Sequence, residues 1–104
     1  MNLEHVLDEF KQGLAAHYGS RLVKVLLYGS YARGAETADS DVDLIVVLRD
    51  AAPPAQEVDG LTDLLTRLNL QYGVLIAVIP VSAETFREAD GPFWRTVRNE
   101  AVTA

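Results

Sequence analysis

No cysteine occurs in the 104 residues. Its absence removes disulfides and thiolate metal sites and agrees with a reducing cytosol. Basic residues are also scarce: nine Lys and Arg stand against 15 Asp and Glu, for a net charge of −6. The deficit is shared, with eight acids to five bases in residues 1–52 and seven to four in the rest. A chain without a basic stripe lacks the counterion release that drives sequence-independent nucleic-acid binding, so direct nucleic-acid partners are not expected. The same balance suits a basic protein partner. No apolar run approaches the ~18–20 residues that cross a bilayer, and Glu4, Asp8 and Glu9 lie where a targeting signal would carry bases. A soluble, cytoplasmic protein with no membrane association is the expectation. The length suits one domain over residues 1–104, with a core that buries somewhat above ~60% of the unfolded surface.

What is present is regular. Leu3, Val6, Leu7, Phe10, Leu14 and Tyr18 recur at intervals of three or four, which predicts an amphipathic helix over 2–18 that Gly19 ends. His5 and His17 fall on this helix with no partner at i+4, and are read as surface residues. Arg21 to Tyr28 and Asp41 to Leu48 read as neighbouring antiparallel strands. Pro53-Pro54 opens a helix through Val58, Leu61, Leu65 and Leu68, slightly weakened by Gly60. A third strand runs from Gly73 to Pro80, which cannot donate to a ladder. Ser82 to Thr85 starts a short helix, and Pro92 opens a last one through Val97 to Val102. The alternation indicates an α+β (α/β) fold: a small mixed sheet with helices mainly on one face.

The segment from Gly29 to Val47 carries the chemistry. An apolar strand runs into Gly29-Ser30, where glycine permits a sharp turn and Ser30 is placed to cap a short helix over Tyr31 to Arg33. Free N–H groups at such a turn attract phosphate oxygens. Asp41 and Asp43 are separated by one residue in a strand, so both carboxylates point the same way. Like charges so close repel unless a cation sits between them, and hard oxygen ligands with substrate phosphates suit Mg²⁺.

The string Gly29-Ser30-Tyr31-Ala32-Arg33-Gly34, followed by Ser40-Asp41-Val42-Asp43-Leu44, resembles the signature of the polymerase-β-type nucleotidyltransferase superfamily. It is most similar to the minimal nucleotidyltransferases, which are about this long and are often antitoxin partners of HEPN-domain RNase toxins. The resemblance covers residues 26–48. It implies the nucleotidyltransferase fold and a Mg²⁺-dependent transfer of a nucleotidyl group, AMP from ATP, to a hydroxyl of a HEPN-type toxin. Asp41 and Asp43 would then be the catalytic metal ligands, and Gly29 and Ser30 would hold the nucleoside triphosphate. In the family a third carboxylate usually comes from a later strand. Here that strand, Val74 to Ile79, has no acid, and the expected position falls near Ile76, with Gly73 and Ala77 close by. The alternative is therefore a catalytically degenerate antitoxin of the same fold that neutralises its toxin by binding alone.

Other residues have two uses open to them. Arg33 could reach a phosphate or pair with Glu36 or Asp39. Ser40 could hold the nucleotide or orient Asp41. Tyr28 and Tyr31 could stack on a base, although tyrosines beside a glycine turn more often pack. Phe86, Phe93 and Trp94, interleaved with Arg87, Arg95 and Arg98, read as a helix that buries aromatics and exposes charge, with a partner-protein surface as the second choice. Acceptor, base preference and homo-oligomer formation are not legible.

Overall fold

The structure, a computed structural model, describes residues 2–104. Helix α1, Leu3–Tyr18, buries Val6, Phe10, Leu14 and Tyr18 and ends at Gly19, which takes a positive φ of 56°. At its start the Asn2 side chain accepts the His5 N–H at 3.2 Å. A 3₁₀ turn, Gly19–Arg21, leads into strand β1, Leu22–Tyr28; helix α2, Ser30–Arg33, and strand β2, Val42–Leu48, follow. The strands pair antiparallel as expected, with Leu22 opposite Leu48 at one end and Tyr28 opposite Asp43 at the other.

The helix expected after Pro53 is two helices, α3, Pro54–Gly60, and α4, Thr62–Tyr72. Leu61 breaks it: its N–H turns back to the Val58 carbonyl at 2.9 Å while its side chain is buried in the core. Gly60 lets the His17 ring of α1 come close, since a Cβ there would sit 3.3 Å from Nε2. Strand β3, Ile76–Ser82, begins later than the sequence suggests and runs through Pro80, which lies beside Val46 in a parallel pair with β2. The sheet order is β3-β2-β1 followed by a short fourth strand, β4, at Val102–Thr103. An edge strand needs no N–H on its outer side, so proline is tolerated there. Helix α5, Ala83–Glu88, is capped by Ser82, whose hydroxyl accepts the Thr85 N–H at 3.1 Å. Helix α6, Pro92–Glu100, stops before Val102, which instead forms β4, Val102–Thr103, against Leu26 and Leu27 of β1.

Strand parity sorts the core into two layers. Val42, Leu44, Val46 and Leu48 of β2 pack with Val25, Leu27, Ile76 and the buried residues of α1 and α4. The opposite parity, Ile45 and Val47, packs with Leu26, Val81 and Val97, backed by Phe86 and Trp94. The second face is therefore covered by the short helices α5 and α6 rather than bare, and Asp43 shares its parity. Of the aromatic and basic concentration, Phe86 and Trp94 serve this layer, whereas Phe93, Arg87 and Arg95 are exposed. Phe86 and Phe93 meet the Trp94 ring edge-on at 6.2 and 5.1 Å, and Arg98 donates to the Phe86 carbonyl at 2.9 Å and to that of Ala89. Among the described residues, no helix is long and apolar enough to cross a membrane.

Candidate active site

The turn after β1 depends on Gly29. Its φ of 75° with ψ of −152° is backbone that essentially only glycine adopts. The Gly29 carbonyl accepts the Ala32 and Arg33 N–H groups at 3.1 and 3.2 Å and so starts α2. Ser30, expected as the cap, is instead the first residue of the helix; Gly29 occupies the cap position, and no side chain bonds there. The Ser30 and Tyr31 N–H groups have no backbone acceptor among the described residues. Tyr31 packs against the α1 layer, and Tyr28 meets the Phe93 ring edge-on at 6.0 Å.

Asp43 lies against this turn. A Cβ added to Gly29 would collide with Asp43 Oδ2 and sit 3.3 Å from its Cγ, so the carboxylate fills the space that the missing side chain leaves. Burial raises the Asp43 pKa, the Asp41 charge raises it further, and the Arg33 guanidinium pulls the other way. Burial and Asp43 also push up the hydroxyl of Tyr28, its cross-strand partner. Asp41 sits one residue before β2 and is exposed. It opens onto a cavity of about 660 Å³ that it lines with Tyr31, Glu36, Asp39, Ser40 and Leu75. Asp43 is not part of that lining; it lies against the turn, within reach of the Asp41 charge.

Ser40 and Arg33 are already engaged. The Ser40 hydroxyl accepts the Thr37 N–H at 2.8 Å, and the Ser40 N–H donates to the Thr37 carbonyl at 3.1 Å, which closes the loop in front of Asp41. Arg33 pairs with neither Glu36 nor Asp39: its guanidinium meets Glu100 Oε2, 67 residues away, at 3.3 Å. Local sequence holds no signal for Glu100, because only the sheet brings α6 beside α2.

The β2–β3 register narrows the expected place of the absent acid. Ala77, not Ile76, stands beside Asp43, and Ile76 is buried in the α1 layer. Among the described residues, no three His, Cys, Asp or Glu side chains gather closely enough to hold a metal. Two carboxylates, one of them half-buried with its charged form disfavoured, still make a hard-oxygen donor set. That set fits Mg²⁺ when phosphate oxygens complete the shell.

A mixed four-stranded sheet with a glycine turn set against an aspartate edge has the framework of a nucleotidyltransferase. The family model described as "Nucleotidyltransferase domain" matches residues 7–99, and the chain belongs to that family. A Methanocaldococcus jannaschii protein named "Putative protein adenylyltransferase" is 39% identical over 101 residues, 96% of this chain and 95% of that one. A solved structure described as a "putative minimal nucleotidyltransferase" is 29% identical, superposes with a TM-score of 0.59, and covers all of this chain and 97% of its own. Two more distant structures support the fold alone. A toxin-antitoxin with AMP-PNP has a TM-score of 0.63 at 20% identity, covering 92% of this chain and 69% of its own. A tri-AMPylated Shewanella oneidensis HEPN toxin in complex with MNT antitoxin gives 0.55 at 18% identity, over 93% and 68%.

Proposed function

We propose that the chain works as one minimal nucleotidyltransferase domain that moves AMP from ATP to a hydroxyl of a partner protein, a HEPN-type toxin, and so acts as its cytoplasmic antitoxin. The observation that carries this reading is the Asp43 carboxylate lodged in the space left by Gly29, beside free N–H groups. The relative named for protein adenylyltransfer supports the acceptor class, and the toxin-antitoxin neighbours support the partner class.

In this reading the turn at Gly29 and Ser30 presents its N–H groups to the phosphates, Arg33 adds a guanidinium, and Ser40 fixes the loop that carries Asp41. Asp41 and Asp43 would hold Mg²⁺, which when bound neutralises charge between the carboxylates and the triphosphate. The acceptor oxygen attacks the α-phosphorus as the bond to the β-phosphate breaks, releasing pyrophosphate and the hydroxyl proton. Positioning and charge neutralisation supply most of the rate in such sites.

A second reading rests on Ala77. With no acid beside Asp43 on β3, the chain could retain the fold and neutralise its toxin by contact alone. Incubation with α-labelled ATP, Mg²⁺ and a HEPN-type partner separates the two. Label on the partner that disappears with Asp43→Asn supports transfer, whereas full neutralisation without label supports occlusion and overturns the transfer.

A further inference from the structure

Arg33 has a resident partner that neither the family match nor the motif assigns. Its guanidinium meets Glu100 Oε2 at 3.3 Å, and both side chains are partly open to solvent, 49% and 38% exposed. Glu100 is the last residue of α6, where the negative end of the helix dipole disfavours an acid. Helix stability therefore does not explain a carboxylate there. The chain also fixes its position: two residues later, Val102 and Thr103 join the sheet beside Leu27 and Leu26, which precede Tyr28 and Gly29. Glu100 is thus anchored at the edge of the phosphate turn. The same guanidinium acts on Asp43, whose charged form it favours.

We infer that Glu100 is a positioning residue that competes with the incoming triphosphate for the Arg33 guanidinium, holding it until the nucleotide binds and then yielding it. The inference rests on the nucleotide reading above and adds a regulator to it. An exposed ion pair is a weak tether, and a triphosphate offers several charged oxygens where Glu100 offers one carboxylate. The handover needs only side-chain rotation on α2, because the Arg33 side chain is about half open to solvent. Glu100 therefore lowers nucleotide affinity in the resting protein and keeps Arg33 from pairing with the loop acids Glu36 and Asp39.

Calorimetric titration with Mg²⁺ and the non-transferable analogue α,β-methylene-ATP tests this in five proteins: the natural chain, Glu100→Gln, Glu100→Asp, Arg33→Ala and the Arg33→Ala/Glu100→Gln double variant. The expected result is about two- to fivefold tighter binding for Glu100→Gln, in proportion to a solvent-exposed pair, and a gain that shrinks at high salt. Glu100→Asp retains the charge and should bind like the natural chain. With Arg33 removed, Glu100→Gln should change nothing. Equal or weaker binding by Glu100→Gln overturns the inference, as does the same gain without Arg33, which would mean general repulsion between an acid and an anion. Heat from the natural chain with no effect at Glu100 sinks the competition alone; no heat from any of the five sinks the nucleotide reading with it.

Discussion

At the Arg21 end of the β1–β2 pair, the buried Glu57 carboxylate accepts from Arg21 at 2.9 Å and from the Ala52 N–H at 3.1 Å, while Arg21 also reaches Asp50 at 3.1 Å. At the Gly29 end of the same two strands, Asp43 has burial, the Asp41 charge and the field of Arg33 around it, and no hydrogen-bond partner among the described residues. One acid is satisfied by its own chain, and the other is half-buried with its charged form disfavoured. The contrast sets a hydrogen-bonded carboxylate against one whose pKa its surroundings raise, the pattern that the proposed ligand role of Asp43 builds on.

The variant that should sharpen this comparison most is Asp43→Asn, which is expected to weaken Mg²⁺-dependent nucleotide binding by about 100-fold or more in calorimetry. Stability should move the other way. The Asp43 pKa is raised in the folded chain, so its stabilising contribution is complete below the ordinary carboxylate range and is lost as pH rises through the raised value. Thermal melts across mildly acid to neutral pH should show that decline in the natural chain and not in Asp43→Asn, leaving the variant at least as stable at neutral pH.

Gly29→Ala comes next and should cost about 1–3 kcal/mol in denaturant melts for its backbone alone. It should also weaken nucleotide binding, because the new Cβ displaces Asp43 Oδ2. Glu57→Ala makes the complementary test at the other end. It strands the Ala52 N–H and should lower stability by a similar or slightly smaller amount, about 1–2 kcal/mol, with nucleotide affinity untouched. A change in affinity there would break the comparison. The smallest effect belongs to Tyr18→Phe: the Tyr18 hydroxyl is buried with no partner among the described residues, so its removal should leave stability equal or raise it by up to about 1 kcal/mol.

Periodicity carried most of the fold. The spacing of Val6, Phe10 and Leu14 placed α1, and the apolar runs around Val25 and Ile45 placed the two central strands and their antiparallel pairing. What local pattern missed was decided by distant neighbours. Leu61 breaks the helix because its side chain is needed in the core, Pro80 stays in β3 because that strand is an edge, and Val102 leaves the last helix to pair with β1. The Gly29 turn and Asp43 were legible because spacing along a turn and a strand fixes them. Ser30 was misread as the cap because glycine itself took that position. The lack of an acid in the third strand was legible, but the pairing of Ala77 with Asp43 depended on the β2–β3 register, and the Glu100 partner of Arg33 on the packing of α6, neither of which one segment records.

The central claim is that Asp43 is held short of a cation that arrives with the nucleotide. Following the Asp43 carboxyl carbon by NMR through an acid titration, with and without Mg²⁺ and α,β-methylene-ATP, tests it most directly. The account predicts a pKa above the ordinary carboxylate range in the free protein that falls sharply when both are added. A pKa that stays where it was in the presence of both would contradict it.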